Sequence, residues 1–126
     1  MDATEDASSV CFRFMAVGFS LMPLFKGGNE PVRAHAVSAS IGGTPAVRLG
    51  QWKYIPVPGS GGWGKGGDQS QPVQLYDLAS DIGEATNLAA GEPERVARMH
   101  ALLEELIVKG RSSPGPEQSN DVQVRR

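Results

Sequence analysis

Apolar residues in this chain fall in short runs broken by glycine and proline until about residue 92, after which they take up a helical spacing. Val96, Met99 or His100, Leu103, Leu106 and Ile107 line one face at three- and four-residue intervals, and Leu102 broadens it. Arg95, Arg98, Glu104 and Glu105 are expected to face water. Pro93 suits the first helical turn, Glu94 complements the positive end of the dipole, and Gly110 suits the position just past the last turn. The pattern predicts a helix within 92–109. Such a helix has little stability alone, so its stripe requires a sheet or another surface to cover it.

Upstream, residues 34–40 read as a strand and residues 45–54 as a second extended stretch, in which Ala46, Arg48, Gln51 and Lys53 are interleaved with Val47, Leu49, Trp52 and Ile55. The alternation slips at Leu49-Gly50-Gln51. A tight reversal there places residues 46–48 and 52–55 on two short antiparallel strands, and Gly42-Gly43 supplies an earlier turn. Residues 56–67 hold six Gly and two Pro and read as a long loop. A returning strand follows over 72–78: Val73, Leu75 and Asp77 share one face, and Gln74, Tyr76 and Leu78 the other. Apolar residues on both faces imply that a helix covers one side and a loop the other. Residues 77–88 read as turns, with Asp81, Gly83 and Asn87 as the turn formers. The fold class is therefore α+β, a small antiparallel sheet packed by a C-terminal helix.

The two ends are different in character. Residues 1–9 are polar, and the apolar run over 11–25 is interrupted by Gly18 and Pro23, which disfavours one continuous helix and predicts irregular packing material. That run is short for a membrane span and follows an acidic start, so neither a span nor a conventional export signal is evident. Gly27-Gly28 marks a turn. Beyond the helix, Pro114, Gly115 and Pro116 introduce a polar arm with no fold of its own. The expected division is an irregular extension over 1–16, one domain over 17–111 and an irregular arm over 112–126.

Composition allows one compact domain in 126 residues; 40% hydrophobic content argues against wholesale disorder, while 16 Gly and 9 Pro predict much loop. Twelve basic against 14 acidic residues leave a formal charge of −2, which excludes a global electrostatic case for nucleic acid or an anionic membrane. Charge is uneven, however. Arg33, Arg48, Lys53 and Lys65 occur in the acid-free stretch 31–67, either as a cationic face or as ordinary solvated positions. Cys11 is the one cysteine and reads as a buried thiol; no intrachain disulfide can form.

No residue set carries catalysis. His35 and His100 are isolated, with His100 on or beside the helix stripe. Asp77, Asp81, Glu84, Glu104 and Glu105 read as solvated, capping or turn residues, because calcium needs several converging oxygens, and zinc is weaker still with one Cys and two separated His. The segment Gly59-Ser60-Gly61-Gly62-Trp63-Gly64-Lys65 has the spacing of a phosphate-cradling loop, yet Gly66 stands where Ser or Thr is needed and no helix follows. A flexible connection is the better reading. Trp52, Trp63 and Tyr76 read as packing residues.

Joined in order, Phe19-Ser20-Leu21-Met22-Pro23-Leu24-Phe25-Lys26-Gly27 and the 45–55 segment resemble successive motifs near the C-terminus of arylsulfatase-like sulfatases. Gln74-Leu75-Tyr76-Asp77-Leu78, Asp81-Ile82-Gly83-Glu84, Thr86-Asn87-Leu88, the 93–110 helix and Gly110-Arg111-Ser112-Ser113-Pro114-Gly115-Pro116 are similar in order as well, so the resemblance spans roughly 17–124. It implies a small antiparallel sheet and terminal helix packed on a large alkaline-phosphatase-like domain. It places Phe19 to Phe25 at the junction, Trp52 as the anchor of the 48–55 hairpin, Tyr76 and Leu78 beside the helix, and Asp81 with Asn87 in the turn before it.

The resemblance also implies what this chain does not supply. The family uses a formylglycine made from Cys or Ser in a Cys/Ser-x-Pro/Ala-x-Arg motif and a calcium-binding carboxylate cluster, both upstream of the region of similarity. Cys11-Phe12-Arg13-Phe14-Met15 lacks the motif, and Ser38-Ala39-Ser40 stands where the family often has His-His-Ser. The expectation is an incomplete sulfatase-like module, inactive alone, with no catalytic, cofactor-binding or metal residue of its own and calcium needed only by a complete enzyme. Its expected partners are an upstream catalytic domain or a second copy, with no nucleic acid and no membrane span. Complete family members are commonly exported or lysosomal, which leaves this chain's location open. An independent structural or protein-interaction module is the competing expectation.

Overall fold

The computed structural model of the chain describes residues 19–61, 64, 66–120 and 123–124. The expectations for the polar start, for the Cys11 thiol and for Trp63 and Lys65 lie outside the described residues. Element order is α1 (Met22–Phe25), β1 (His35–Ala39), β2 (Pro45–Leu49), β3 (Trp52–Ile55), β4 (Gln74–Asp77) and α2 (Pro93–Lys109). The four strands form one antiparallel sheet in sequential order, β1-β2-β3-β4. This is the expected α+β arrangement.

Local chemistry explains each reversal. Leu49 pairs with Trp52, leaving Gly50-Gln51 as a two-residue turn. Gly50 has φ of 59°, the left-handed conformation that the first position of such a turn requires and that glycine adopts without a Cβ penalty. The β1–β2 turn closes through Ser40 N–H to Thr44 O at 2.9 Å and Gly43 N–H to Ser40 O at 2.9 Å. Ser40 Oγ also accepts from Thr44 N–H at 3.2 Å and donates to the Gly61 carbonyl, so the hydroxyl ties this turn to the glycine-rich loop.

Register decides which residues meet the helix. Val37 pairs with Val47, Val47 with Tyr54, and Tyr54 with Leu75, so these four form one row across the sheet. Side chains paired in this way share a face. Val47, Tyr54 and Leu75 are buried together with Met99, Leu103 and Ala89, and Val96, Leu102, Leu106 and Ile107 pack around them. The helix stripe read from the sequence is thus the stripe that meets the sheet. Burying each large apolar side chain contributes roughly 1.5–3 kcal/mol.

The ends of α2 also follow their residues. Pro93 occupies its start, Glu94 its first turn, and Gly110 follows with φ of 66°. Glu92 precedes it without a side-chain cap, its carbonyl accepting from Val96 N–H at 3.0 Å. The arm beyond is tied back to this end: Gln118 N–H donates to Lys109 O at 2.9 Å and Asn120 Nδ2 to Ile107 O at 2.7 Å. Helix-terminal carbonyls otherwise left open are satisfied there.

Residues 22–25 differ from the expectation of irregular backbone. They form a single helical turn, with Lys26 N–H donating to Met22 O at 3.1 Å. Pro23 has its fixed φ preorganised for a first turn, and Gly27, at φ of 85°, ends it. The same proline that disfavours a long helix therefore starts a short one.

Candidate functional site

The side of the sheet opposite α2 is built around β4, whose Gln74, Leu75 and Tyr76 are all buried. Alternation sends Leu75 to the helix and the other two to the opposite side, which corrects the expectation of Tyr76 beside the helix: its parity in β4 puts it on the face away from α2, with Gln74. Gln74 Nε2 donates to Val57 O at 2.7 Å and Gly59 O at 2.8 Å, and its Oε1 accepts from Tyr76 Oη at 2.7 Å. One amide thus holds the glycine-rich loop and the tyrosine hydroxyl together. Burial pushes the Tyr76 phenol up, and the Asp68, Glu84 and Asp81 charges push it further. It is a fixed hydrogen-bond donor at neutral pH.

Asn87 performs a second closure. Its Oδ1 accepts from Leu75 N–H at 3.0 Å and Ala89 N–H at 3.0 Å, while Nδ2 donates to Val73 O at 3.0 Å and Asp68 Oδ2 at 2.8 Å. Asp68 is held below the ordinary carboxylate value first by Ser70, through hydroxyl and backbone, and then by Asn87. Lys53, on the same face as Tyr76, reaches Glu84 at 2.6 Å. Glu84 itself adopts φ of 54°, an uncommon conformation for a side chain other than glycine.

The acids read as turn and cap residues hold those places. Asp77 Oδ1 accepts from Gln51 Nε2 and from Ala79 N–H, both at 3.0 Å. Asp81 accepts from Thr86 N–H at 2.8 Å and Ala85 N–H at 3.1 Å, and these two donors hold its carboxyl below the ordinary value. Glu105 pairs with Lys109 on the outer face of α2. Among the described residues, no three His, Cys, Asp or Glu side chains converge as a metal group.

A depressed folded pKa makes the Asp81 bonds a stabilising term that is fully present above the unfolded carboxylate value and lost as pH falls through the lower folded one. In a pH titration followed by NMR, the Ala85 and Thr86 amide shifts should move together, with a midpoint below the ordinary aspartate value of about 3.9. A midpoint at or above that value would contradict the assigned turn.

On the helix side the aromatics pack as expected, with one correction. The Arg95 guanidinium lies 4.0 Å from the centroid of the Trp52 ring and its Nε is 3.2 Å from Glu92 Oε2. Arg95 therefore covers the hairpin's tryptophan instead of simply facing water, because its planar cation gains from the ring face while its charge stays partly solvated. His100 is exposed as a residue, yet its Nδ1 is 3.1 Å from Tyr54 Oη and the two rings meet edge to face. Burial, then the Glu104 charge, raises the Tyr54 pKa. Neither histidine joins a nucleophile or an acid cluster, and Ser38-Ala39-Ser40 ends β1 with Ser40 serving the turn.

The least covered apolar surface is α1 and its flank. Leu21, Met22 and Leu24 are exposed, and Phe25 is 77% exposed. All belong to the stretch that the resemblance places at a junction, whereas Phe19 is half-buried. Scattered exposed apolar side chains need no explanation, but four within five residues form a patch. Among the described residues, no helix is long and apolar enough to cross a membrane.

No family model matches the chain. It is 38% identical over 83 residues to an N-acetylgalactosamine-6-O-sulfatase of Bacteroides thetaiotaomicron, a match covering 62% of this chain and 16% of that protein. It is 37% identical over 75 residues to a choline-sulfatase of Rhizobium meliloti, covering 57% of this chain and 12% of that protein. The chain therefore spans less than a fifth of the length of these relatives. A solved structure described under metabolism of multiple glycosaminoglycans by Bacteroides thetaiotaomicron superimposes with a TM-score of 0.55 at 28% identity, covering 68% of this chain and 18% of that one.

Proposed function

We propose, from the premise that this chain resembles the C-terminal part of the arylsulfatase-like sulfatase family, that it is a supporting module for a sulfuric-ester hydrolase domain and does not itself turn over sulfate esters. The observation that carries the reading is the exposed apolar turn Leu21, Met22, Leu24 and Phe25 in the segment bearing the junction motif. A patch of this kind gains free energy by docking on a larger apolar surface, at roughly 25 cal/mol per Å² removed from water. In this reading the turn presents a docking surface and the module supplies no reacting group.

Chemistry supports the division. Sulfate-ester hydrolysis in this family calls for a formylglycine and a carboxylate-bound calcium ion, and no Cys or Ser in the 126 residues opens the Cys/Ser-x-Pro/Ala-x-Arg motif. Asp77 and Asp81 serve turns, Glu84 and Glu105 pair with lysines, and among the described residues no three His, Cys, Asp or Glu side chains converge to hold calcium. The nucleophile, the metal ligands and the pocket for the ester belong to the partner domain in this reading.

Sedimentation over a range of concentrations tests it. The chain alone should self-associate through α1, Phe25→Glu should reduce that association, and an added sulfatase catalytic domain should suppress it by covering the patch. A chain that stays monomeric and ignores the catalytic domain would favour an independent module. Calcium-dependent hydrolysis of an arylsulfate by the chain alone would overturn the proposal outright.

A further inference from the structure

The two outer strands of the sheet end differently. β4 is an edge by strand order, but its outward backbone groups are taken: Leu75 N–H donates to Asn87 Oδ1 at 3.0 Å, and Leu75 O accepts from Leu88 N–H at 2.8 Å. The Asp77 carbonyl accepts from Asp81 N–H at 2.8 Å. The segment that follows β4 therefore closes this edge.

β1 is the other edge. In an antiparallel ladder alternate residues bond to the neighbouring strand and the rest turn their backbone groups away from it. Ser40 N–H donates to Thr44 O, and the register continues through Ser38–Ala46 and Ala36–Arg48, so His35, Val37 and Ala39 point their N–H and C=O groups outward. Among the described residues, no backbone hydrogen bond from another segment reaches these groups. Edge strands are ordinarily blunted by charge, proline or a bulge, because an open edge is a template for another strand. Residues 34–41 contain no Lys, Arg, Asp, Glu or Pro, and β1 pairs with β2 residue for residue, without a bulge. Ser38 and Ala39 are exposed, and Ile41 just beyond them is 66% exposed.

We propose that β1 pairs antiparallel with the β1 of a second copy of this chain, joining two four-stranded sheets into one across a two-fold axis at Val37. The outward groups select that register. Val37 meets Val37 of the second copy and His35 meets Ala39, so each outward N–H finds an outward C=O. Ala36 meets Ser38, both small and uncharged, and no like charges are opposed within the paired strands. A strand that complements itself in this way forms the isologous interface that a two-fold axis requires. On the helix side, the Val37 contact extends the Val37–Val47–Tyr54–Leu75 row, beside an apolar groove of about 210 Å³ that Val37 lines with Pro45, Leu103, Leu106 and Ile107. Because β4 is closed, each copy offers one open edge and strand pairing stops at a dimer. The interface is on a different element from the α1 patch, and the supporting-module reading does not require it.

The test is sedimentation equilibrium of the 126-residue chain carrying Phe25→Glu, which removes the α1 contribution to association and leaves β1 intact. Either reading can then fail without the other. A dimer is expected. Ser38→Lys, on an exposed side chain of the face away from α2, sets two like charges diagonally across the axis, and Ala39→Pro removes an outward N–H. Each should weaken the dimer by about tenfold or more. In a mixture of isotope-labelled and unlabelled chains, an intermolecular NOE between the Hα protons of Ala36 and Ser38 is expected, since these residues lie between the hydrogen-bonded pairs and turn their Hα atoms toward the axis. Circular dichroism checks that the fold persists, and Ser38→Lys decides the matter where Ala39→Pro disturbs β1. A chain that stays monomeric, a dimer indifferent to both substitutions, or a dimer without that NOE would overturn the proposal.

Discussion

Leu103→Ala should lower the stability of the folded chain by about 2–4 kcal/mol. The side chain is 1% exposed and sits in one cluster with Val47, Tyr54, Leu75 and Met99. Its truncation removes the apolar area that joins α2 to the sheet and leaves a cavity whose walls are strand residues, held by ladder hydrogen bonds from collapsing inward. That wall stiffness places the cost toward the upper part of the range. Urea unfolding monitored by far-ultraviolet circular dichroism measures it, with Val108→Ala as the control. Val108 is on the same helix but 76% exposed, so its truncation should change stability by less than about 0.5 kcal/mol. A Leu103→Ala effect as small as the control's would show that α2 does not cover the sheet.

Gln74→Leu should cost a comparable amount, about 2–4 kcal/mol, although it adds apolar character to a buried position. Gln74 is 1% exposed, and the replacement would remove the partner of the Gly59 and Val57 carbonyls and of the Tyr76 hydroxyl. Solvation by leucine's apolar atoms does not replace those bonds. The loss should appear first as opening of the 56–73 connection: faster proteolysis within the glycine-rich loop before global unfolding. Gln74→Glu separates shape from hydrogen bonding, because a carboxylate retains an acceptor for Tyr76 Oη but places negative charge against two carbonyl oxygens. It should be at least as damaging as Gln74→Leu. Wild-type stability in both variants would remove Gln74 from its place at the centre of this face.

These two positions differ in how far they can be read from the chain. Leu103 belongs to a periodic stripe, and periodicity in a helix is a property of residues three and four apart, so its burial is evident before any fold is known. Gln74 is an amide in a strand, where polar residues usually face water. Apolar residues on both faces of 72–78 indicate a covered strand, but nothing in the neighbouring residues says that an amide there is buried or names its partners at positions 57 and 59. The same limit applies to Lys53 with Glu84, which are 31 residues apart, and to Arg95 over Trp52. The α1 turn shows a different limit: Pro23 can end a helix or begin one, and the choice depends on whether the following residues can close a turn before Gly27.

By itself, the sequence determined the elements whose causes are local. The α2 stripe with Pro93 and Gly110 at its ends, the Gly50 reversal, the turns around Asp81 and Asn87 and the absence of a formylglycine motif all follow from residue type and short spacing. The tertiary structure decided the sheet order, the Val47–Tyr54–Leu75 row, the Gln74 hub and the exposure of α1. The physical reason is range. Backbone conformation and amphipathic period are set by neighbours within a turn or two, whereas hydrogen bonds between distant polar groups, and the surfaces left uncovered, depend on which segments pack together once those elements have formed.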